Sequence, residues 1–142
     1  MSTEETARLI RRTYEAYGRG DLQTVFAGLA DDIEWTSQGA DDALPWAGRF
    51  SGHDQVGQFF ARVAETVAVE TFEVLDIIVQ GDRAAVVARI TARLRTNGLP
   101  LAAEKADILR VRDGKIVRFT EYYDTGLVAR TLAAPAEEQR PA

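Results

Sequence analysis

A chain of 142 residues that is 46% hydrophobic is long enough to bury one sizeable core and too short for two ordinary domains. Its 17 Lys+Arg against 22 Asp+Glu give a net charge of −5 with the basic residues scattered, which excludes the electrostatic footprint of a nucleic-acid partner. Cysteine is absent and His53 is the single histidine, so disulfides, thiolate nucleophiles, Cys-based metal sites and Ser-His catalysis are excluded as well.

The N-terminal MSTEETARLI has no basic region followed by an apolar run. Nothing later approaches the roughly 18 to 20 apolar residues that span a bilayer, so a soluble, cytoplasmic protein with no membrane partner is expected. From Thr3 to Tyr17, residues Ala7, Ile10, Tyr14 and Tyr17 recur at spacings of three and four, the period of an amphipathic helix. GRGD breaks it, and Asp21 can cap a short second helix with Leu22, Val25, Phe26 and Leu29 on its apolar face. DDIEWTSQ then reads as a short strand. Residues 38–51, QGADDALPWAGRFS, combine Gly, Asp and Pro without any period and read as a loop beside the core. Ser51 is placed to cap a third helix, with Asp54 in capping-box position and Val56, Phe59, Phe60 and Val63 as the buried stripe.

The second half changes period. Glu70 to Val79, Arg83 to Thr96, Leu101 to Arg112 and Lys115 to Asp124 are apolar or alternating runs separated by QGDR, TNGLP and RDGK, the pattern of hairpin-linked antiparallel strands. DTGLVARTL starts a last helical pattern, with Asp124 as its N-cap. Helices first and long strands after predict an α+β fold, a cone-shaped, curved antiparallel sheet wrapped on the N-terminal helices and enclosing an apolar pocket. A single domain over residues 1–132 is expected, with 133–142, AAPAEEQRPA, as a flexible tail.

AYGRGDLQTVFAGLADDIEW, PWAGRFSGHDQVGQFFARV and DILRVRDGKIVRFTEYYDT resemble the SnoaL-like branch of the nuclear transport factor 2-like superfamily, which includes ketosteroid isomerase and limonene epoxide hydrolase. The resemblance covers residues 5 to 132 and implies a deep pocket and a homodimer formed through the outer sheet face. It puts the isomerase's base on Ser37 and its oxyanion-hole tyrosine on Thr13, so steroid isomerisation is disfavoured. The isomerase's second acid falls on Asp107, and an acid of the epoxide hydrolase on Glu121. That hydrolase's Asp-Arg-Asp set is not evident, because the strand carrying Arg89, Arg93 and Arg95 has no Asp at the expected place.

Alternation places Asp107 with Leu109 and Val111, where burial would raise its pKa; a strand acid facing Lys105 or a neighbouring arginine is the structural alternative. In the last strand the same period sets Val117, Phe119, Glu121 and Tyr123 toward the pocket. Glu121 is either an acid–base group paired with Asp107 or half of an ion pair with Arg93. Asp124 is first a helix cap, while polyketide cyclases of the SnoaL type keep a catalytic role open for it. The candidate catalytic residues are therefore Asp107, Glu121 and Asp124. Tyr14, Trp35, Ser37, Trp46, Phe59, Phe119 and Tyr123 are the candidate substrate-binding residues, and His53 reads as a solvated surface group. The expected activity is general acid–base chemistry of isomerase, cyclase, dehydratase or hydrolase type on a hydrophobic, oxygenated small molecule, with no metal or organic cofactor. The alternative is a non-catalytic ligand-binding or assembly module.

Overall fold

The computed structural model describes residues 1–136, so the end of the expected tail, 137–142, lies outside the described residues. Ten elements follow one another: α1 (Thr3–Gly18), α2 (Leu22–Ala27), β1 (Leu29–Ser37), β2 (Gly48–Ser51), α3 (Gly52–Thr66), β3 (Val67–Gln80), β4 (Arg83–Leu94), β5 (Pro100–Arg112), β6 (Lys115–Tyr123) and α4 (Thr125–Ala133). Among the described residues no helix is long and apolar enough to cross a membrane.

Helix α1 forms where its periodicity places it, while α2 is shorter than expected, with Leu22 exposed and Leu29 already the first residue of β1; both helices are capped by short polar side chains. Ser2 accepts from the Glu5 N–H ahead of α1, and Asp21 accepts from Thr24 ahead of α2. At α3 the expected capping box does not form. The Ser51 hydroxyl donates to Glu34 instead, and Gln55, rather than Asp54, accepts from the Ser51 N–H. The competing partner is available because Gly48–Ser51, expected within a loop, is a short strand that pairs with β1 and sets Ser51 opposite Glu34.

The six strands form one curved, unclosed sheet in the order β2-β1-β6-β5-β4-β3. Every neighbouring pair is antiparallel except β1 with β6, which run parallel, so the sheet is mixed. The chain from β1 to β6 passes through β2, α3 and the strands β3 to β5, well beyond the roughly dozen residues of connection that a parallel pair requires. The RDGK turn has Asp113 at φ 51° and Gly114 at φ 77°. Positive φ at both central residues is the requirement of the hairpin turn matched to strand twist.

Just beyond that turn the ladder shifts by one between Arg110 and Val111, so that Val111 faces Ile116 while Arg110 faces Arg118. Strict alternation along β6 therefore fails at its start: Ile116 is buried with Phe119 and Glu121, and Val117 is only partly so. A bulge that adds one residue reverses the facing of everything before it.

Apolar residues of α1 and α3 pack against the inner sheet face, with Ile10, Ile33, Val56, Val86, Leu94 and Ile116 essentially without exposure. At the far end, Asp124 Oδ1 accepts from Leu127 N at 3.0 Å and caps α4. Asn97 holds the other end of that helix by donating to Thr131 O and Ala134 O. Asp124→Ala is expected to cost about 1 kcal/mol of stability, the usual contribution of such a cap, while leaving ligand binding unchanged; urea denaturation beside a binding titration measures both.

Candidate active site

The site is built by two rows of the inner sheet face. In one, Ser37 on β1 lies beside Glu121 on β6, which lies opposite Asp107 on β5. In the next, Lys105 on β5 lies opposite Tyr123 on β6. Residues directly opposite in a sheet point to the same face. Alternation along β5 and β6 therefore delivers two acids, a lysine and a phenol to one small area. Tyr14 reaches the same area from α1.

The polar groups hold one another in a continuous chain. Tyr14 donates its hydroxyl to Asp107 Oδ2. Lys105 Nζ lies 3.2 Å from Asp107 Oδ1 and 3.0 Å from Glu121 Oε2. Only the Glu121 contact has hydrogen-bond geometry; Asp107 Oδ1, fully buried, has no aligned donor. Ser37 Oγ donates to Glu121 Oε1 at 2.5 Å. Beside it, Trp46 Nε1 donates to the Tyr123 hydroxyl at 2.8 Å, fastening the loop between β1 and β2 to the cluster.

That loop has its own anchor. Leu44 packs at the position a side chain on Gly39 would occupy, since a Cβ there would stand 2.4 Å from Leu44 Cδ1.

Burial sets the protonation behaviour. Asp107 is pushed above the usual carboxylate range by desolvation, which the Lys105 charge opposes and the Glu121 charge reinforces. Desolvation works to lower the Lys105 pKa, but the charges of Asp107 and then Glu121 outweigh it and hold the group as an ammonium. Tyr14 is raised well above a free phenol by burial and by the neighbouring Asp107 charge. Burial also raises Tyr123, to about 12, against the hydrogen bond from Trp46. Both phenols are thus proton donors at neutral pH.

The cluster forms part of the wall of a cavity of about 150 Å³. The rest of the wall is apolar and strongly aromatic. Trp35 stacks on Phe119 with centroids 3.7 Å apart and a 16° interplanar angle, and Phe59 and Phe60 tilt against Trp35 at 5.3 and 5.5 Å. Such rings supply large apolar area with fixed geometry.

Of the three acids expected at the site, Asp107 and Glu121 line the cavity. Asp124 does not: it is exposed, and its carboxylate caps α4. Tyr14, Trp35, Trp46, Phe59, Phe119 and Tyr123 line the cavity, whereas Ser37 sits behind it, 1% exposed, with its hydroxyl spent on Glu121. The ion pair of Glu121 with Arg93 does not form. Arg93 and Arg89 are exposed and face Glu70, Glu73 and Glu104 instead. His53 is half-buried rather than solvated, its Nε2 2.9 Å from Leu29 O and its ring edge-on to Phe26.

Thr13, at the oxyanion-tyrosine position of the resemblance, spends its hydroxyl on Leu9 O. The adjacent Tyr14 is the phenol that reaches the acids. The group the sequence reading missed is Lys105, which entered only as a neutralising partner for Asp107. Its spacing of two from Asp107 was the available signal, because it fixes both on one face of the strand. Among the described residues no three His, Cys, Asp or Glu side chains gather as a metal set.

A family model for a SnoaL-like domain matches residues 10–119. The uncharacterized protein Rv0034 of Mycobacterium tuberculosis is 29% identical over 123 residues, 87% of this chain and 92% of that one. An NTF2-like protein of unknown function from Burkholderia pseudomallei is 28% identical with a TM-score of 0.85, over 94% of this chain and all of that one. At 24% identity and a TM-score of 0.74, a structure from Xanthomonas campestris named as a proposed polyketide cyclase matches 92% of this chain and 98% of its own; that likeness is one of fold.

Replacing Lys105 with Met would leave two buried carboxylates without their cation. Denaturation at neutral pH is expected to show a loss of about 3–5 kcal/mol, the range for breaking a buried ion pair. The sign with pH follows from proton uptake. A carboxylate whose folded pKa is raised binds protons more readily folded than unfolded, so its contribution is lost as pH rises from the unfolded value toward the folded one. The variant's deficit should therefore shrink on acidification, and a deficit that grows in acid contradicts the assignment.

Proposed function

The chain belongs to the SnoaL-like domain family, and from that premise we propose that it is a cofactor-independent enzyme performing general acid–base chemistry on a hydrophobic, oxygenated small molecule. The observation that carries this reading is the Asp107–Lys105–Glu121 ion cluster in the wall of an otherwise apolar, aromatic cavity. Burying a lysine with two carboxyl groups of which only one finds an aligned ammonium donor is expensive for a structural device. The same arrangement suits proton transfer, because it sets two carboxyl groups and an ammonium within hydrogen-bond reach of one another at the edge of an apolar cavity.

Glu121 is fixed by donors from Ser37 and Lys105 and keeps an edge toward the cavity, which places it for the role of base. Asp107, raised by burial against the opposing Lys105 charge and the Tyr14 hydrogen bond, is the proton-holding partner. Trp35, Phe59 and Phe119 orient an apolar body against them, and Trp46 closes one side through Tyr123. A carboxylate–cation–carboxylate arrangement is formed across β5 and β6 instead of β4, with a lysine as the cation. That keeps hydrolysis of a strained ring within the reaction classes, beside isomerisation, cyclisation and dehydration.

Turnover of a panel of monocyclic ketones, enones, lactones and epoxides, followed by NMR in D₂O, tests the reading. Glu121→Gln should lower the rate on any accepted compound by about 10²- to 10⁴-fold, the usual contribution of one positioned base. Full activity in that variant contradicts the assignment. Tight binding of panel members with no turnover or exchange favours a binding module.

A homodimer is part of the same proposal. On the outer sheet face Ile78, Ile108 and Tyr122 are 59%, 46% and 49% exposed, apolar side chains that a second copy would cover. Arg83, Arg110 and Arg118 stand directly opposite one another across three strands at one end of that face, while Asp76, Glu73 and Glu104, with Arg89 between the two glutamates, lie farther along it. Like charges in register repel, and a two-fold-related second copy would set each arginine row against acids of its partner. Light scattering after size exclusion should give a dimer at micromolar concentration that weakens with Arg110→Glu; a monomer contradicts the proposal.

A further inference from the structure

Accessibility ranks the polar groups of the cavity wall. The Asp107 side chain has no exposure, being covered by Tyr14 on one oxygen and Lys105 on the other, while Glu121 keeps 8% and Lys105 14%. A molecule entering the cavity meets the lysine and the edge of Glu121 before it meets Asp107. Lys105 Nζ also lies 5.4 Å from the Phe119 ring centroid and 5.8 Å from that of Phe72. The ammonium is therefore held over aromatic faces inside the cavity. It carries three N–H donors, and among the described residues only Glu121 accepts from it in hydrogen-bond geometry. Donors remain for a ligand oxygen.

Resting on the acid–base reading above, we propose that Lys105 is itself a catalytic residue, receiving the oxygen of a neutral carbonyl substrate while Glu121 removes the proton from the adjacent carbon. The C–H bond next to the carbonyl breaks, its proton passes to Glu121, and its electron pair forms the enolate whose negative charge collects on oxygen. The charge Glu121 loses is the charge the ligand gains. The total in the cavity is unchanged, and Lys105 exchanges one anionic partner for another at a separation of about one hydrogen bond. Return of the proton from Glu121 to a conjugated carbon completes an isomerisation without any co-reactant.

The geometry limits the substrate class. The two groups are 3.0 Å apart, which suits a carbonyl oxygen and a carbon two bonds away rather than two distant functions. A ligand arriving with its own carboxylate would add a charge beside Glu121 that Lys105, already shared between two acids, does not offset. The cavity, at about 150 Å³, matches in volume one known to hold a benzene ring. The enclosed part of the substrate is thus a single ring or an equivalent branched chain bearing an enolisable ketone or aldehyde.

4-Nitrophenol performs the same exchange of charge with a visible readout, because its phenolate absorbs at longer wavelength than the phenol. Titrated with the wild-type protein, the bound probe is expected to ionise about one pH unit or more below its free midpoint, the size of shift a nearby opposite charge produces. Lys105→Arg should keep most of that shift, and Lys105→Met should bind the probe as neutral phenol. Glu121→Gln should keep the phenolate, since the ammonium is then freed of one partner. That variant's loss of turnover belongs to the acid–base reading, so the two ideas can fail separately. A bound probe that stays neutral in the wild type overturns the proposal, as does a phenolate that persists in Lys105→Met or a failure to bind the probe at millimolar concentration. The wild-type shift decides by itself if Lys105→Met does not fold.

Discussion

An ammonium placed between two carboxylates in a greasy wall is the constraint on which the rest of the structure turns. Each of these charges alone would be costly to bury, and their mutual attraction offsets that cost only if their positions are fixed by more than one element. The inner face of β5 and β6 supplies that fixity. Lys105 and Asp107 are two residues apart on one strand, and Glu121 stands directly opposite Asp107 on the next. Helix α1 adds Tyr14, and β1 adds Ser37. Tyr14, Ser37, Lys105, Asp107 and Glu121 all sit on a helix or a strand. This is the arrangement expected of a site that has to hold charge ready before a ligand arrives.

The fold reads as the means of building that wall. A curved sheet offers one concave face, and helices laid across it shield the face from water without filling it. Aromatic residues then line what remains: Trp35 and Phe119 stack as a floor, and Phe59 and Phe60 close in from α3. Lowering the local dielectric strengthens every interaction among Asp107, Lys105 and Glu121 and raises the penalty for any unpaired state. The loop that carries Trp46 is tied to the cluster through Tyr123, so closure of the cavity and placement of the polar groups are mechanically linked. The outer face, by contrast, carries ordinary surface ion pairs at Arg89 and Arg93 together with an apolar patch.

Much of this was legible in the sequence, because period and turn chemistry are local. The helix caps at Asp21 and Asp124, the buried stripe of α3 and the four long strands all follow from spacing and from residues such as Asp113 and Gly114. The cross-strand partnership of Asp107 and Glu121 was also within reach, once the RDGK turn identified the hairpin. What stayed hidden was long-range pairing. No local pattern announces that β1 runs parallel to β6, yet that pairing brings Ser37 to Glu121. The short strand Gly48–Ser51 has too little alternation to declare itself, and the bulge near Val117 reverses a facing that strict period two assigns wrongly. Lys105 was overlooked for a different reason: a lysine beside an aspartate reads as neutralisation, and only burial of both reveals a shared role in the cavity wall.

The measurement that bears most directly on this account is the titration of Lys105 itself, followed by NMR of its ζ-nitrogen in isotopically labelled protein. Held by two buried carboxylates, the group should give a slowly exchanging ammonium signal that persists to pH values above the ordinary lysine midpoint of about 10.4, and that signal should shift when a ligand fills the cavity. A ζ-nitrogen that loses its proton below that midpoint, or that exchanges with water like a surface lysine and ignores ligand, would contradict the central claim.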